Sequence, residues 1–119
     1  MRAVIAGSGI AIPKNVVRNE ALARLMDTSD EWIRTRSGIE QRYYADPGDG
    51  SAELGTAAAR NALEASGWMP QDVDCVLFAT MTPNFVFPGN GPLLQDALGL
   101  RAIPTFDLRQ QCSGFLYGL

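Results

Sequence analysis

The stretch TFDLRQQCSGFLYGL, residues 105–119, decides the fold prediction. Thr105–Leu108 is a short β-prone run, and the small and apolar residues after Cys112 favour a helix. A strand that leads directly into a helix is the unit from which α/β folds with a parallel sheet are built. Because active sites in such sheets gather where strands end and helices begin, Cys112 lies where a functional residue is expected.

The position of Cys112 supports two interpretations. A thiol at a helix start faces unpaired backbone N–H groups and partial positive charge, which favour the nucleophilic thiolate. Cysteine is also among the residues most often buried as a small hydrophobe. Position alone therefore allows Cys112 to be either a nucleophile or a core residue. Cys75, inside the apolar run DCVLFAT (74–80), is interpreted as a buried core residue.

Outward from this stretch, strand-like and helix-like segments alternate along the chain. Glycines and prolines punctuate them, with Gly38, Gly67 and Gly99 placed as helix stops. The sequence predicts strands at Ala3–Ala6, 74–80 and 103–108. It predicts a helix at Asn19–Met26 with Asn19 as its N-cap, and a second helix that starts after Thr28 with a Thr28/Glu31 capping box. Two further helices are predicted, one at Ala52–Ser66 capped by Ser51 and one at Leu93–Leu98.

This alternation predicts an α/β fold with a mainly parallel sheet. The GSG at residues 7–9 resembles the start of a dinucleotide-binding loop, but Ile12 stands where the third glycine is required. A dinucleotide-binding fold is therefore disfavoured.

Composition excludes several function classes. The 119 residues carry a net charge of −3, which argues against a nucleic-acid binder. Two cysteines and no histidine give neither a disulfide framework nor a metal site, and no apolar run is long enough for a membrane helix. We therefore expect a cytoplasmic protein without metal, nucleic-acid or membrane partners.

The charge is unevenly distributed. Residues 1–42 contain seven Lys or Arg against five Asp or Glu, whereas residues 43–119 contain three against eight. Within the basic part, Trp32 and Arg36 are four residues apart and share a helix face. An aromatic face beside a guanidinium suits a nucleotide or phosphate, although a core tryptophan next to a surface arginine gives the same spacing.

Two motifs together resemble β-ketoacyl-acyl-carrier-protein synthase III, a condensing enzyme of the thiolase superfamily. They are TSDEWIRTRSGIEQR (28–42) and FDLRQQCSGFLYGL (106–119). The resemblance implies a thiolase-like layered fold, α-β-α-β-α in the complete protein, with a mainly parallel sheet in the part seen here. It also implies that residues 1–119 form an incomplete N-terminal domain that ends inside the nucleophile helix.

The resemblance further implies a reaction and the residues that perform it. Cys112 would accept an acyl group from an acyl-coenzyme A, and the acyl-enzyme would condense with malonyl-acyl-carrier protein to initiate fatty acid synthesis. Thr28, Trp32 and Arg36 would bind coenzyme A, which is a substrate, so no separate cofactor is expected. Phe87 would reach across a homodimer interface and line the acyl pocket of the partner subunit.

Two departures from the family pattern leave the function open in part. Arg109, Gln110 and Gln111 replace small apolar residues, a pattern similar to synthase III relatives of alkylquinolone or polyketide metabolism that use unusual acyl donors. The family's catalytic His and Asn are expected elsewhere, since this chain has no His. Residues 1–119 alone are therefore expected to be inactive. A different cysteine enzyme, such as a hydrolase or dehydrogenase, and a non-catalytic partner subunit also stay open.

Overall fold

The computed structural model describes residues 2–119, which form short strands and helices in alternation. The strands are β1 (Asn15–Arg18), β2 (Gln41–Tyr44), β3 (Val76–Ala79) and β4 (Thr105–Leu108). The helices are α1 (Asn19–Ala23), α2 (Asp30–Ser37), α3 (Ser51–Ser66), α4 (Gly91–Leu98) and α5 (Gly114–Gly118), with 3₁₀ turns at Pro70–Asp72 and Gln111–Ser113. None of the helices within residues 2–119 is both long and apolar enough to span a bilayer.

Ile12–Gly48 forms one compact unit. Its strands β1 and β2 pair in antiparallel fashion, with Asn15 opposite Tyr44 and Arg18 opposite Gln41. The fully buried Asn19 holds this unit together, because its amide donates to Asp30 Oδ1 at 2.7 Å and to the Ile39 carbonyl at 2.8 Å. Its Oδ1 accepts from Arg42 at 2.6 Å. One side chain thus joins α1, α2 and β2.

The other unit contains Asp49–Leu119 and is an α/β arrangement. Strands β3 and β4 are parallel, with Val76 opposite Thr105 and Ala79 opposite Leu108. Helix α4 packs against both strands and against α3. The core consists of buried Val76, Leu94 and Leu98, with Ala59, Val73, Phe78, Leu100 and Ile103 packed around them. The α/β class and the parallel β3–β4 pair predicted from the sequence are confirmed.

The glycine stops predicted from the sequence are also confirmed. Gly38, Gly67 and Gly99 follow α2, α3 and α4 with φ of 72°, 72° and 64°. This left-handed conformation carries little steric cost without a Cβ, so glycine closes each helix there.

The predicted strand at Ala3–Ala6 is wrong. The segment has no strand partner among residues 2–119, and Val4 and Ile5 are 80% and 79% exposed. A strand is defined by its ladder hydrogen bonds, which an apolar run alone does not supply. The glycines that follow instead lie close to α3, since a Cβ on Gly7 would lie 2.6 Å from the Ala62 carbonyl oxygen.

Both predicted side-chain caps in Ile12–Gly48 are wrong. Arg18, not Asn19, precedes α1, and the Asn19 side chain is used by the buried network. Ser29, not Thr28, caps α2, with its Oγ accepting from the Trp32 N–H at 3.1 Å. Helix α1 is also shorter than predicted and ends at Ala23.

Two features of the strands also differ from the prediction. The sequence does not predict the pairing of β1 with β2, because QRYY lacks an apolar alternation and its partner is distant in sequence. The apolar run predicts that β3 is covered on both faces, yet Leu77 is 47% exposed. The prediction that residues 1–119 are an incomplete domain stays a prediction.

Candidate active site

Cys112 lies where the sequence predicts it, between β4 and α5. It occupies the middle of the 3₁₀ turn Gln111–Ser113, and its thiol is free and exposed. Gly114, which begins α5, is buried, and a Cβ there would lie 3.1 Å from the Ala79 Cβ. The absence of a side chain at Gly114 therefore lets the turn that carries Cys112 approach β3 closely.

A cavity of about 210 Å³ lies at the carboxyl ends of β3 and β4. Thr80 and Met81 line it from the end of β3, and Gln111 and Phe115 line it from the residues around Cys112. The Thr80 N–H donates to the Leu108 carbonyl at 3.1 Å, which holds the two strand ends together. Gln111 and Gly114, the neighbours of the Cys112–Ser113 pair, thus line the cavity, and Cys112 itself is not one of the lining residues.

Cys75 provides an internal comparison. It is free and exposed like Cys112, so the expectation that it is buried is wrong. Burial fails because Cys75 precedes β3 rather than lying inside it. Cys75 comes before one strand of a parallel pair and Cys112 follows the other, so they lie at opposite ends of the sheet. Only Cys112 is at the end where α/β active sites form.

Trp32 and Arg36 are brought together on α2. The Arg36 guanidinium carbon lies 4.4 Å from the centroid of the Trp32 ring, a cation–π contact. Trp32 is 54% exposed, so the ring is not a core residue. Thr28 lies two residues before α2 and is half-buried. A flat aromatic surface with an adjacent cation is therefore available to a planar, negatively charged ligand.

Phe87 lies in the segment Thr80–Asn90 between β3 and α4, which we call the β3–α4 loop. Phe85, Val86 and Phe87 are 58%, 78% and 89% exposed. Three consecutive apolar side chains with this exposure are typical of a surface that another molecule covers.

Sequence reasoning missed the residues that hold this loop. Asn90 is fully buried, its amide donates to Ser51 Oγ at 2.7 Å, and its Oδ1 accepts from the Asn84 N–H at 2.9 Å. Asp107 accepts from the N–H groups of Asn90 and Gly91 at 2.7 and 3.0 Å. Asp107 could have been identified from the sequence, because an aspartate inside a strand is unfavourable without a specific partner.

The amino end of α3 also contributes to these contacts. Glu53 accepts from the Gly50 N–H at 2.7 Å and from the Asn84 amide at 2.8 Å. The pKa of Glu53 lies below its ordinary value of 4.5. The largest cause is the Asn84 hydrogen bond, followed by the backbone N–H groups of Glu53 and Gly50.

Comparison with curated proteins gives a consistent set of relatives. The chain is 48% identical to the β-ketoacyl-[acyl-carrier-protein] synthase III of Rhizobium meliloti over all 119 residues, and 48% identical to that of Erythrobacter litoralis. In both cases the chain spans only 37% of the relative's length. No family model matches the chain.

Solved structures agree with these relatives. The 3-oxoacyl-[acyl-carrier-protein] synthase III of Aquifex aeolicus superposes with a TM-score of 0.90 at 40% identity, covering 95% of this chain and 36% of that one. The priming β-ketosynthase of the R1128 polyketide pathway superposes with a TM-score of 0.91 at 32% identity, covering 99% of this chain and 37% of that one.

Proposed function

We propose that this chain belongs to the β-ketoacyl-[acyl-carrier-protein] synthase III family of condensing enzymes, to which it is similar over its whole length. We propose that it supplies the nucleophile of an acyltransferase that condenses an acyl-coenzyme A with malonyl-acyl-carrier protein. The observation that carries the proposal is the exposed Cys112 thiol, on a turn beside the cavity at the carboxyl ends of β3 and β4.

The proposed first step is acyl transfer to Cys112. The thiolate attacks the thioester carbonyl, the bond from that carbonyl to the coenzyme A sulfur breaks, and coenzyme A leaves as its thiolate, which takes a proton from water. A thioester is a soft electrophile matched to a thiolate, and the covalent intermediate divides a difficult condensation into two easier steps.

The proposed second step forms the carbon–carbon bond. Malonyl-acyl-carrier protein loses carbon dioxide, and the resulting carbanion attacks the acyl carbonyl on Cys112. The Cys112–acyl bond breaks, which releases the β-ketoacyl product and restores the thiolate. The carbanion needs a stabilising group, for which the family uses His and Asn, and residues 1–119 contain no His.

Coenzyme A recognition is assigned to Thr28, Trp32 and Arg36. The Trp32 ring offers a face for the adenine, and Arg36 beside it offers a guanidinium for the phosphates. Ile12–Gly48 carries six Lys or Arg and six Asp or Glu, so the support for an anionic ligand comes from Arg36 itself and not from the net charge of the unit.

We further infer a homodimer in which Phe87 reaches across the interface and lines the acyl pocket of the partner subunit, and a cytoplasmic location that rests on the resemblance alone. The exposure of Phe85, Val86 and Phe87 supports the interface. Sedimentation that showed a monomer at micromolar concentration would contradict the dimer.

A synthase of polyketide or alkylquinolone metabolism is the second candidate. It is favoured by Arg109, Gln110 and Gln111 before the nucleophile, and by the similarity to the R1128 priming ketosynthase. The two candidates share the reaction and differ in the acyl donor, so a panel of acyl-coenzyme A donors separates them.

The proposed function is tested by turnover of the full-length gene product. With acyl-coenzyme A and malonyl-acyl-carrier protein, we expect carbon dioxide and β-ketoacyl product in equal amounts. Cys112→Ala should lower the rate by at least about a thousandfold, since a covalent nucleophile is lost. Cys75→Ala is the matched control, because it removes the other exposed thiol. Equal turnover by both variants would contradict the proposal.

A further inference from the structure

The β3–α4 loop is fixed in place despite its exposed apolar residues. Asn84 and Asn90 lie at either side of Phe85, Val86 and Phe87, and the Asn84 N–H donates to Asn90 Oδ1 at 2.9 Å. This bond closes residues 84–90 into a ring that presents the apolar side chains outward. The ring conformation therefore depends on one buried amide.

Asn90 also attaches the loop to α3. Its Nδ2 donates to Ser51 Oγ at 2.7 Å, and the Ser51 hydroxyl donates to the Thr82 carbonyl at 2.6 Å. The first residue of α3 thereby holds two points of the loop. Because Asn90 is fully buried, water cannot replace a hydrogen bond that is lost there.

The segment that carries the nucleophile holds the loop from the other side. Asp107 accepts from the Asn90 and Gly91 N–H groups at 2.7 and 3.0 Å, and Arg109 donates to the Val86 carbonyl at 3.2 Å. These two residues lie five and three positions before Cys112. The base and the tip of the loop are thus both fixed to the chain that positions the thiol.

We propose that Asn90 is a positioning residue that sets acyl-chain selectivity by holding the β3–α4 loop, and with it Phe87, rigid against its own subunit. The inference rests on the proposed function, in which Phe87 reaches across the homodimer interface and lines the acyl pocket of the partner subunit. A pocket wall discriminates between chain lengths only while it is rigid. Loosening the loop therefore lowers the preference for one donor over another and leaves the chemistry of the thiol unchanged.

The test is Asn90→Asp in the full-length gene product. Aspartate keeps the acceptor but removes the donor to Ser51, and it adds a carboxylate to the residue whose backbone N–H binds Asp107. The measured quantity is the kcat/KM for the preferred acyl-coenzyme A divided by the kcat/KM for an acyl-coenzyme A whose chain differs by about four carbons. We expect this ratio to fall about tenfold, the size of effect expected from one lost buried hydrogen bond.

Asn19→Asp is the matched control. Asn19 is also fully buried, and the substitution places a carboxylate beside an aspartate, Asp30. It lies in the Ile12–Gly48 unit, where the proposed contacts are to coenzyme A, which is common to all donors. We expect it to lower the melting temperature and to change kcat/KM for all donors by the same factor.

The possible outcomes are separable. A wild-type protein that accepts no acyl-coenzyme A contradicts the proposed function. A wild-type protein that turns over, with an unchanged selectivity ratio in Asn90→Asp, overturns the inference alone. If Asn90→Asp does not fold, Ser51→Ala is measured instead, because it removes the same hydrogen bond without adding charge. A lowered selectivity ratio in Ser51→Ala supports the inference, and an unchanged ratio overturns it.

Discussion

At the scale of single residues, exposure does not separate the proposed nucleophile Cys112 from Cys75. Cys75 and Cys112 are both free, and they differ in which end of the β3–β4 pair they occupy. Catalytic chemistry in α/β sheets uses the carboxyl ends of strands, because loops and helix starts converge there. Position within the sheet, rather than residue type, selects Cys112.

Arg36 gives a prediction at this scale. If its guanidinium contacts coenzyme A phosphates, Arg36→Ala should raise KM for the acyl donor about tenfold with little change in kcat, because the contact stabilises ground and transition states alike. The increase should be larger at low than at high ionic strength. Steady-state kinetics at two salt concentrations measures both effects.

Arg34→Ala is the control for Arg36→Ala. Arg34 lies on the same helix and carries the same charge, but its guanidinium is engaged by Glu40 at 2.9 Å and Asp30 at 3.7 Å. We expect it to leave KM within about twofold. An equal rise in KM for both variants would assign the effect to general charge rather than to the Trp32–Arg36 pair.

At the scale of secondary-structure elements, Glu53 ties the amino end of α3 to the β3–α4 loop. Its pKa in the folded state is lowered, chiefly by the Asn84 hydrogen bond, so the ionised form stabilises the fold. This contribution is fully present above the unfolded value near 4.5 and is lost as the pH falls through the lower folded value. Acid should therefore weaken this contact once the pH falls through the lowered pKa of Glu53.

Glu53→Gln is predicted to lower the melting temperature at pH 7 and to approach the wild type as the pH falls below 4.5 and through the lowered folded-state pKa of Glu53. Thermal denaturation at a series of pH values measures this convergence. Glu64→Gln is the control on the same helix, because its carboxylate has no hydrogen-bond or ion-pair partner in residues 2–119. A constant difference between Glu53→Gln and wild type at all pH values would refute the assignment.

How far the elements could be predicted depends on the range of the interactions that form them. Helices α2, α3 and α4 could be located because a glycine in the left-handed conformation ends each one, which is a local property. Strands β1 and β2 could not, because QRYY becomes a strand only through a partner that precedes it by more than twenty residues. Pairing at that distance leaves no local pattern.

The same distinction explains the candidate site. Cys112 and the Trp32–Arg36 pair follow from local position and helical spacing. Asn19 and Asn90 do not, since an asparagine that caps a helix and one that is buried in a network look alike in sequence. Their roles depend on partners such as Arg42 and Ser51, more than twenty residues away.

At the scale of the whole molecule, this chain spans 37% of the length of the curated relatives it matches. We propose that its own residues carry acyl transfer to Cys112 and coenzyme A binding. They do not account for carbanion stabilisation by His, because residues 1–119 contain none. Acylation of Cys112 is therefore the claim on which the account depends.

The most direct measurement is the site of acylation. The full-length gene product is incubated with acyl-coenzyme A donors of different chain length, quenched without reductant, digested and analysed by peptide mass spectrometry. The account predicts the acyl mass on the peptide that contains Cys112 and none on the peptide that contains Cys75. An acyl group on Cys75, or a Cys112 peptide that stays unmodified with every donor, would contradict it.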